Sequence, residues 1–318
     1  MKSFVINQND SGQRLDRFVL KCAPRLPHAL LYKYIRLKRI KINGKRGKIN
    51  DRLQPGDTVE LYINDDFFET APAVYDFMFA SKKLPVLYED QNILLIDKPE
   101  GLLVHPDDRE FRDTLITRIQ RYLYEKGEYD PEAEHSFAPA LANRIDRNTG
   151  GIVIAAKNAA TLRVLNEKIK TRQLDKFYLC LVHGVLKQKS DTLTGWLYKD
   201  ETKNQVWVKA QPFPGAKEIR TRYQVKKEYT DRSLVEVELL TGRTHQIRAQ
   251  FAAIGHPLVG DGKYGKNAAD KKQGFTHQAL YSYRLRFSFT DDAEHLNYLY
   301  GREFTVANVW FADQSFQS

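Results

Sequence analysis

One carboxylate in this chain keeps unusual company. The run Asn143-Arg144-Ile145-Asp146-Arg147-Asn148-Thr149-Gly150-Gly151 sets Asp146 between two arginines, just before the apolar run Ile152-Val153-Ile154-Ala155-Ala156. Nearby positive charge opposes protonation of a carboxylate, so the flanking arginines predict an Asp that works ionised, as nucleophile or base. Asn-Thr-Gly-Gly is turn chemistry, and a buried strand behind it would hold the acid on a rigid edge. Alone, Arg-x-Asp-Arg is most often an ordinary loop salt bridge.

Two more stretches place polar side chains beside a strand or a helix start: Lys176-Phe177-Tyr178 and Gly242-Arg243-Thr244-His245-Gln246-Ile247-Arg248. His105 and His245 raise a metal or an acid–base pair, but neither has a third ligand at metal spacing, so structural or ligand-contacting roles are expected. Cys22 and Cys180 lie in apolar contexts and read as buried thiols, with no structural metal or disulfide framework implied. Residues 260–265 satisfy Gly-x-Gly-x-x-Gly, yet they follow His-Pro and open no βαβ unit, so they are not a dinucleotide fingerprint.

The elements that must position these residues follow from the periodicity. Residues 1–63 read as two helices and a small sheet: Leu15, Phe18, Val19 and Cys22 share one helical face, and a second helix opens at Pro27-His28. Asn43-Gly44 marks a turn, and alternation predicts a strand over 59–63. Residues 64–85 read as a linker whose aromatics pack in part on the body. From 86 to 318 strands outnumber helices: apolar runs at 93–96, 152–156 and 175–182 and later strands at 205–209, 220–225, 234–239, 279–289 and 304–311. Helices are expected over 113–126, after Asn158, and from about 240. In the helix after Asn158, Arg163, Lys168, Lys170 and Arg172 are expected to face solvent. The pattern predicts an α+β fold, a small α/β module followed by a body around a mainly antiparallel or mixed sheet.

With 318 residues, 42% of them hydrophobic, the chain can bury a large core. No apolar run approaches a membrane span and the N-terminus lacks a signal-peptide segment, so a cytoplasmic protein is expected; a monomer is expected as well. Of the net +10, residues 1–63 hold +9, with fourteen Lys and Arg against five Asp and Glu. A charge excess that local predicts a polyanion-binding module, with Lys33, Arg36, Lys38, Arg39, Lys41 and Lys45 as the RNA-binding candidates.

Arg14-Leu15-Asp16, Tyr34-Ile35-Arg36, Lys41-Ile42-Asn43-Gly44 and Gly56-Asp57-Thr58-Val59 resemble the αL-type RNA-binding domain found in a small-subunit ribosomal protein. The Asp146 run, Lys176-Phe177-Tyr178 and Gly242 through Arg248 resemble the RluA-type RNA pseudouridine synthases, supported by Asp97-Lys98-Pro99, Val104-His105-Pro106 and His256-Pro257-Leu258-Val259-Gly260-Asp261 with Tyr264. That resemblance covers residues 86–312. It implies an isomerase that cleaves the C1′–N1 bond of a uridine and rejoins the base through C5, without metal or organic cofactor. It implies Asp146 as the catalytic carboxylate, adding to C1′ or removing a sugar proton, Tyr178 as the aromatic stacked on the target base, Arg248 as the partner of Asp146, and Arg144 as a residue that displaces the base. The family pairing of the two domains implies large-subunit ribosomal RNA as substrate, with transfer RNA second. Many family members carry His where this chain has Asn143, and Asp-Thr-Ser-Gly where it has Asn148-Thr149-Gly150-Gly151. Two other readings compete. A catalytically silent RNA-binding protein would not need every residue of the family chemistry. A base-excising glycosylase would need paired carboxylates, and no acidic partner for Asp146 stands at a comparable motif.

Overall fold

In the computed structural model, residues 1–68, 74–200 and 205–312 are described; Glu69 and Pro72 of the linker and positions 313–318 of the body lie outside them. The N-terminal region runs β1 (Lys2–Val5), α1 (Leu15–Cys22), α2 (His28–Arg36), β2 (Ile40–Ile42), β3 (Lys45–Arg46) and β4 (Thr58–Leu61). Its four strands form a sheet of their own in the order β1-β4-β2-β3. Leu15, Phe18 and Val19 of α1 pack with Leu31 and Ile35 of α2 against Ile40, Val59 and Leu61 of the sheet. Asn43 and Gly44 both take positive φ, 51° and 73°, the conformation a two-residue hairpin requires. Strand β1 is not legible in the sequence, because it shows no buried alternation; it pairs with β4 along its whole length.

The body runs β5 (Val86–Glu89), β6 (Ile93–Lys98), α3 (Leu115–Glu125), β7 (Ala140–Leu141), β8 (Gly150–Ala156), α4 (Ala159–Lys170), β9 (Leu174–His183), β10 (Ser190–Asp200), β11 (Gln205–Lys209), β12 (Lys217–Glu228), β13 (Arg232–Leu239), α5 (Gln246–Ala253), α6 (Ala268–Lys272), β14 (Leu280–Phe287) and β15 (Glu303–Thr305). Nine strands follow the order β11-β10-β12-β13-β9-β14-β8-β6-β5, with β7 on β8 and β15 on β14. All these pairings are antiparallel except β14 with β8. The fold is therefore α+β on a mixed sheet. One face buries Ile152, Ile154, Leu181 and Leu234 under α4 and the C-terminal Val306, Val309 and Phe311. The other buries Val153, Tyr178, Cys180 and Val237 under α3 and α5. No helix among the described residues is long and apolar enough to cross a membrane.

The two regions meet at the loop 127–139. Asn9 donates to Glu134 at 2.6 Å, Gln13 to Ser136 at 2.6 Å, and the Ser136 hydroxyl to the buried Asp10 at 2.6 Å. In the linker, Phe77 is buried against the rings of Tyr124 and Tyr129, and Arg121 donates to the carbonyls of Met78 and Ala80.

Three expectations need correction. Lys168 does not face solvent: it is 4% exposed, and its ammonium is taken up by Gln173 and by the backbone and carboxylate of Asp291. Cys22 is only half-buried, its Sγ 3.5 Å from the His135 carbonyl. The last strand stops at Thr305, and Val309 and Phe311 enter the core from irregular chain.

Candidate active site

The site forms where the single parallel pairing of the sheet brings β8, β14 and β9 together. Residues 143–149 arrive at the first residue of β8, Gly150. Gly151 has φ +111°, and a Cβ there would lie 2.1 Å from the Ser282 carbonyl, so the chain can pass β14 this closely only without a side chain. The turn closes through Thr149 N–H to the Asp146 carbonyl at 3.1 Å. Asn143 turns inward and accepts the Ile154 N–H at 2.8 Å, while Asn148 Nδ2 meets His277 Nδ1 at 3.1 Å. The two departures from the usual family residues thus each have a structural task in this loop.

Beneath it, Lys98 at the end of β6 is fully buried and donates to the carbonyls of Pro99, Leu102 and Arg147, each at 2.9 Å. Burial pushes its pKa down to about 7, against the pull of Glu100, Asp146 and Asp97. Lys98 ties the Asp146 loop to the loop after β6, and Arg147 adds a second tie from Nε to the Gly101 carbonyl at 3.0 Å.

The cation bonded to Asp146 is not either sequence neighbour. Arg144 and Arg147 are both exposed. Arg248, in the first turn of α5 and 7% exposed, donates from Nη1 to Asp146 Oδ2 at 2.8 Å. Its other edge, Nε and Nη2, forks onto Asp261 at 2.7 and 3.0 Å. Asp261, 1% exposed, also accepts the N–H groups of Lys263 and Tyr264. Burial pushes the Asp261 carboxyl up, but the Arg248 bonds and these N–H groups outweigh it, and the net shift is downward. For Arg248, burial acts downward and the two carboxylates prevail, raising its pKa. A second carboxylate therefore does stand beside Asp146, contrary to the expectation from sequence, but it is buried and fully bonded.

Tyr178 projects from β9 into the same place; burial, with Asp146 adding to it, pushes its pKa up to about 12 against the opposing effect of Ser282. His245, just before α5, lies with Nε2 3.8 Å from Asp146 Oδ2 and Nδ1 2.8 Å from the Tyr264 hydroxyl. Its backbone is left-handed, φ 52° and ψ 21°, at a cost of about 1–3 kcal/mol. His105 sits on the rim beside Arg144. Among the described residues no donor reaches Asp146 Oδ1, and its side chain is 27% exposed. The structure brings Asp146, Tyr178 and Arg248 together and leaves Arg144 exposed, two residues before Asp146. The arrangement offers an aligned carboxylate oxygen beside an aromatic ring, which suits attack at a sugar carbon or removal of its proton.

A model of the RNA pseudouridylate synthase family matches residues 92–253, a span that contains Asp146, Tyr178 and Arg248. The chain belongs to the RluA-type RNA pseudouridine synthases. This synthase is therefore an isomerase acting on RNA. It is 34% identical over 291 residues to an uncharacterized RNA pseudouridine synthase of Mycoplasma genitalium, covering 89% of this chain and 88% of the relative. It is 30% identical over 290 residues to the ribosomal large subunit pseudouridine synthase C of Vibrio vulnificus, covering 89% and 87%. The human RNA pseudouridylate synthase domain containing 1 structure shares the fold, with TM-score 0.56 and 22% identity over 71% of this chain and 84% of that one.

Sequence reasoning assigns no task to Asp261 or Tyr264, and to His245 only a structural or RNA-contacting one. A signal for Asp261 and Tyr264 does exist, in their position within a glycine-rich turn that is not a nucleotide loop. Lys98 carries no signal beyond its place before Pro99.

Proposed function

We propose that this synthase isomerises uridines of large-subunit ribosomal RNA in the cytoplasm, as a monomer, with Asp146 as the working carboxylate. The observation that carries the catalytic assignment is the Arg248–Asp146 bond at 2.8 Å, which holds Oδ2 and leaves Oδ1 without a donor among the described residues. The target uridine must leave its stack, at a cost of a few kcal/mol for a paired base. Tyr178 receives it by stacking, an interaction worth about 1–3 kcal/mol, and Arg144 assists its displacement. Asp146 then adds to C1′ or removes a sugar proton, the C1′–N1 bond breaks, the base turns and C5 takes the place of N1. Asp261 is no proton donor for base excision, because both its oxygens are occupied. Residues 1–63 supply affinity as an αL-type RNA-binding domain, through Lys33, Arg36, Lys38, Arg39, Lys41 and Lys45; the last is exposed and Lys41 is half-buried over the Tyr62 ring. Ribosomal RNA is favoured because relatives at about this distance carry that substrate in their names.

Chemical mapping of pseudouridine in total RNA, with and without the gene, tests the substrate. Loss of a site in large-subunit RNA is expected; loss confined to transfer RNA would refute that choice. Asp146→Asn should abolish turnover while RNA still binds, and an active variant would refute the catalytic assignment.

A further inference from the structure

Two side chains paired with Asp146 face the same oxygen: Arg248 Nη1 is bonded to Oδ2, and His245 Nε2 lies 3.8 Å from it. His245 holds a left-handed backbone that an L-residue with a bulky side chain seldom adopts. Strain of this kind persists where the surroundings over-determine it, and it gathers at working sites. The surroundings here are specific. The imidazole meets the Tyr264 ring edge-on, centroids 5.7 Å apart, and Nδ1 lies 2.8 Å from the Tyr264 hydroxyl.

That hydroxyl accepts the Val206 N–H at 3.2 Å and still has its own proton to donate, and we assign that proton to the bond with Nδ1. The imidazole then carries its proton on Nε2, the nitrogen that faces Asp146. The charged and titratable groups around the ring are Asp146 from the loop, Arg248 from α5, and Asp261, Lys263 and Tyr264 from the following turn. Burial, aided by Arg248 and Lys263, outweighs the two carboxylates and holds the imidazole below its usual pKa, which keeps it a neutral donor.

We propose that His245 is a positioning residue for the isomerisation: its Nε2–H is a second donor to Asp146 Oδ2, and it turns the carboxylate so that Oδ1 is presented to the sugar. The proposal rests on Asp146 being the working carboxylate. Hydrogen bonds at catalytic groups are often long in the free enzyme and tighten on the substrate, and 3.8 Å leaves such a step to be made when RNA closes the cleft. A donor to a carboxylate favours its charged form. Its removal therefore moves the acid limb of the rate profile to higher pH, which a purely structural side chain would not do.

The test uses full-length protein and one RNA substrate, with wild type, Asp146→Asn, His245→Ala, His245→Asn and Tyr264→Phe compared for kcat, KM, RNA affinity, melting and pH profile. His245→Ala should lower kcat roughly tenfold or more, the loss of one hydrogen bond to a charged group, with KM and affinity unchanged and the acid limb displaced upward. Tyr264→Phe should act in the same direction more weakly. His245→Asn, which tolerates the left-handed backbone and keeps an N–H, should fall between wild type and alanine. An acid limb unmoved in His245→Ala, or in Tyr264→Phe should the alanine variant not fold, overturns the proposal. Turnover by Asp146→Asn would instead overturn the reading beneath it, so the two failures are distinct.

Discussion

The N-terminal region and the body place their basic residues in opposite settings. Lys33, Arg36, Lys38 and Arg39 stand exposed on and just after α2. In the body, Lys98, Lys168, Arg232 and Arg248 are each less than a tenth exposed, and the bonds of Lys98, Lys168 and Arg248 go to carbonyls and carboxylates of the chain itself. A cation in water is free to meet a polyanion. One out of water must be matched inside the protein, and it then serves as a brace. Net charge by region, +9 against +1, reports only the first use.

That contrast can be broken most sharply at Arg248. Arg248→Met strands the buried Asp261 carboxylate, and removing one partner of a buried pair costs about 3–5 kcal/mol; a large fall in melting temperature is expected together with loss of turnover. Unaltered melting would mean that the body does not depend on its buried cations.

Lys98→Met comes next: the Arg147 carbonyl keeps the Gly101 N–H at 2.9 Å, and a carbonyl left unpaired at Pro99 or Leu102 costs about 1–3 kcal/mol. It also carries a pH signature. The wild-type lysine is depressed to about 7 in the fold against 10.5 unfolded, so the unfolded chain binds the extra proton between those values. Stability from this group is fully present above pH 10.5 and is lost as pH falls to 7. Denaturation of both proteins across that window should show a slope in wild type that Lys98→Met lacks.

Reversing Lys33, Arg36, Lys38 and Arg39 to Glu should leave melting within about 0.5 kcal/mol of wild type. RNA affinity should fall, and the salt slope should shrink by about 0.7 for each single-strand phosphate no longer neutralised. Charge reversal is a cleaner test than deleting residues 1–63, because deletion would strip Glu134 and Ser136 of their partners on the module. The smallest effect is expected at Arg163→Ala, which removes an exposed pair with Glu294 worth at most about 1 kcal/mol. A larger effect there would blur the distinction between exposed and buried cations.

Much of this can be read from residue order, for identifiable reasons. Helices α1 and α2, the Asn43-Gly44 hairpin and the Asn158 cap are local, each specified within a few residues, and Asn158 does accept the Thr161 N–H. Strand β10 is hidden because Ser190 through Asp200 lacks regular alternation; cross-strand partners on β11 and β12 define it. The electrostatics of Asp146 mislead for a related reason. Neighbours in sequence, Arg144 and Arg147, point elsewhere, whereas Arg248 arrives from 102 positions away. Lys168 looks like a surface residue by helical spacing, and only the return of residues 287–311 over α4 covers it.

Gly150 has a consequence for how such a loop can vary among relatives. The Tyr281 ring lies against it, so that a Cβ at position 150 would come within 2.3 Å of the ring, and that ring is pinned by its hydroxyl bond to Asp97 at 2.7 Å. A serine at position 150, as in the Asp-Thr-Ser-Gly run, does not fit this chain as it stands. A chain with serine there must yield space at position 281, and a graft of that loop into this protein should work only when Tyr281 is replaced with it.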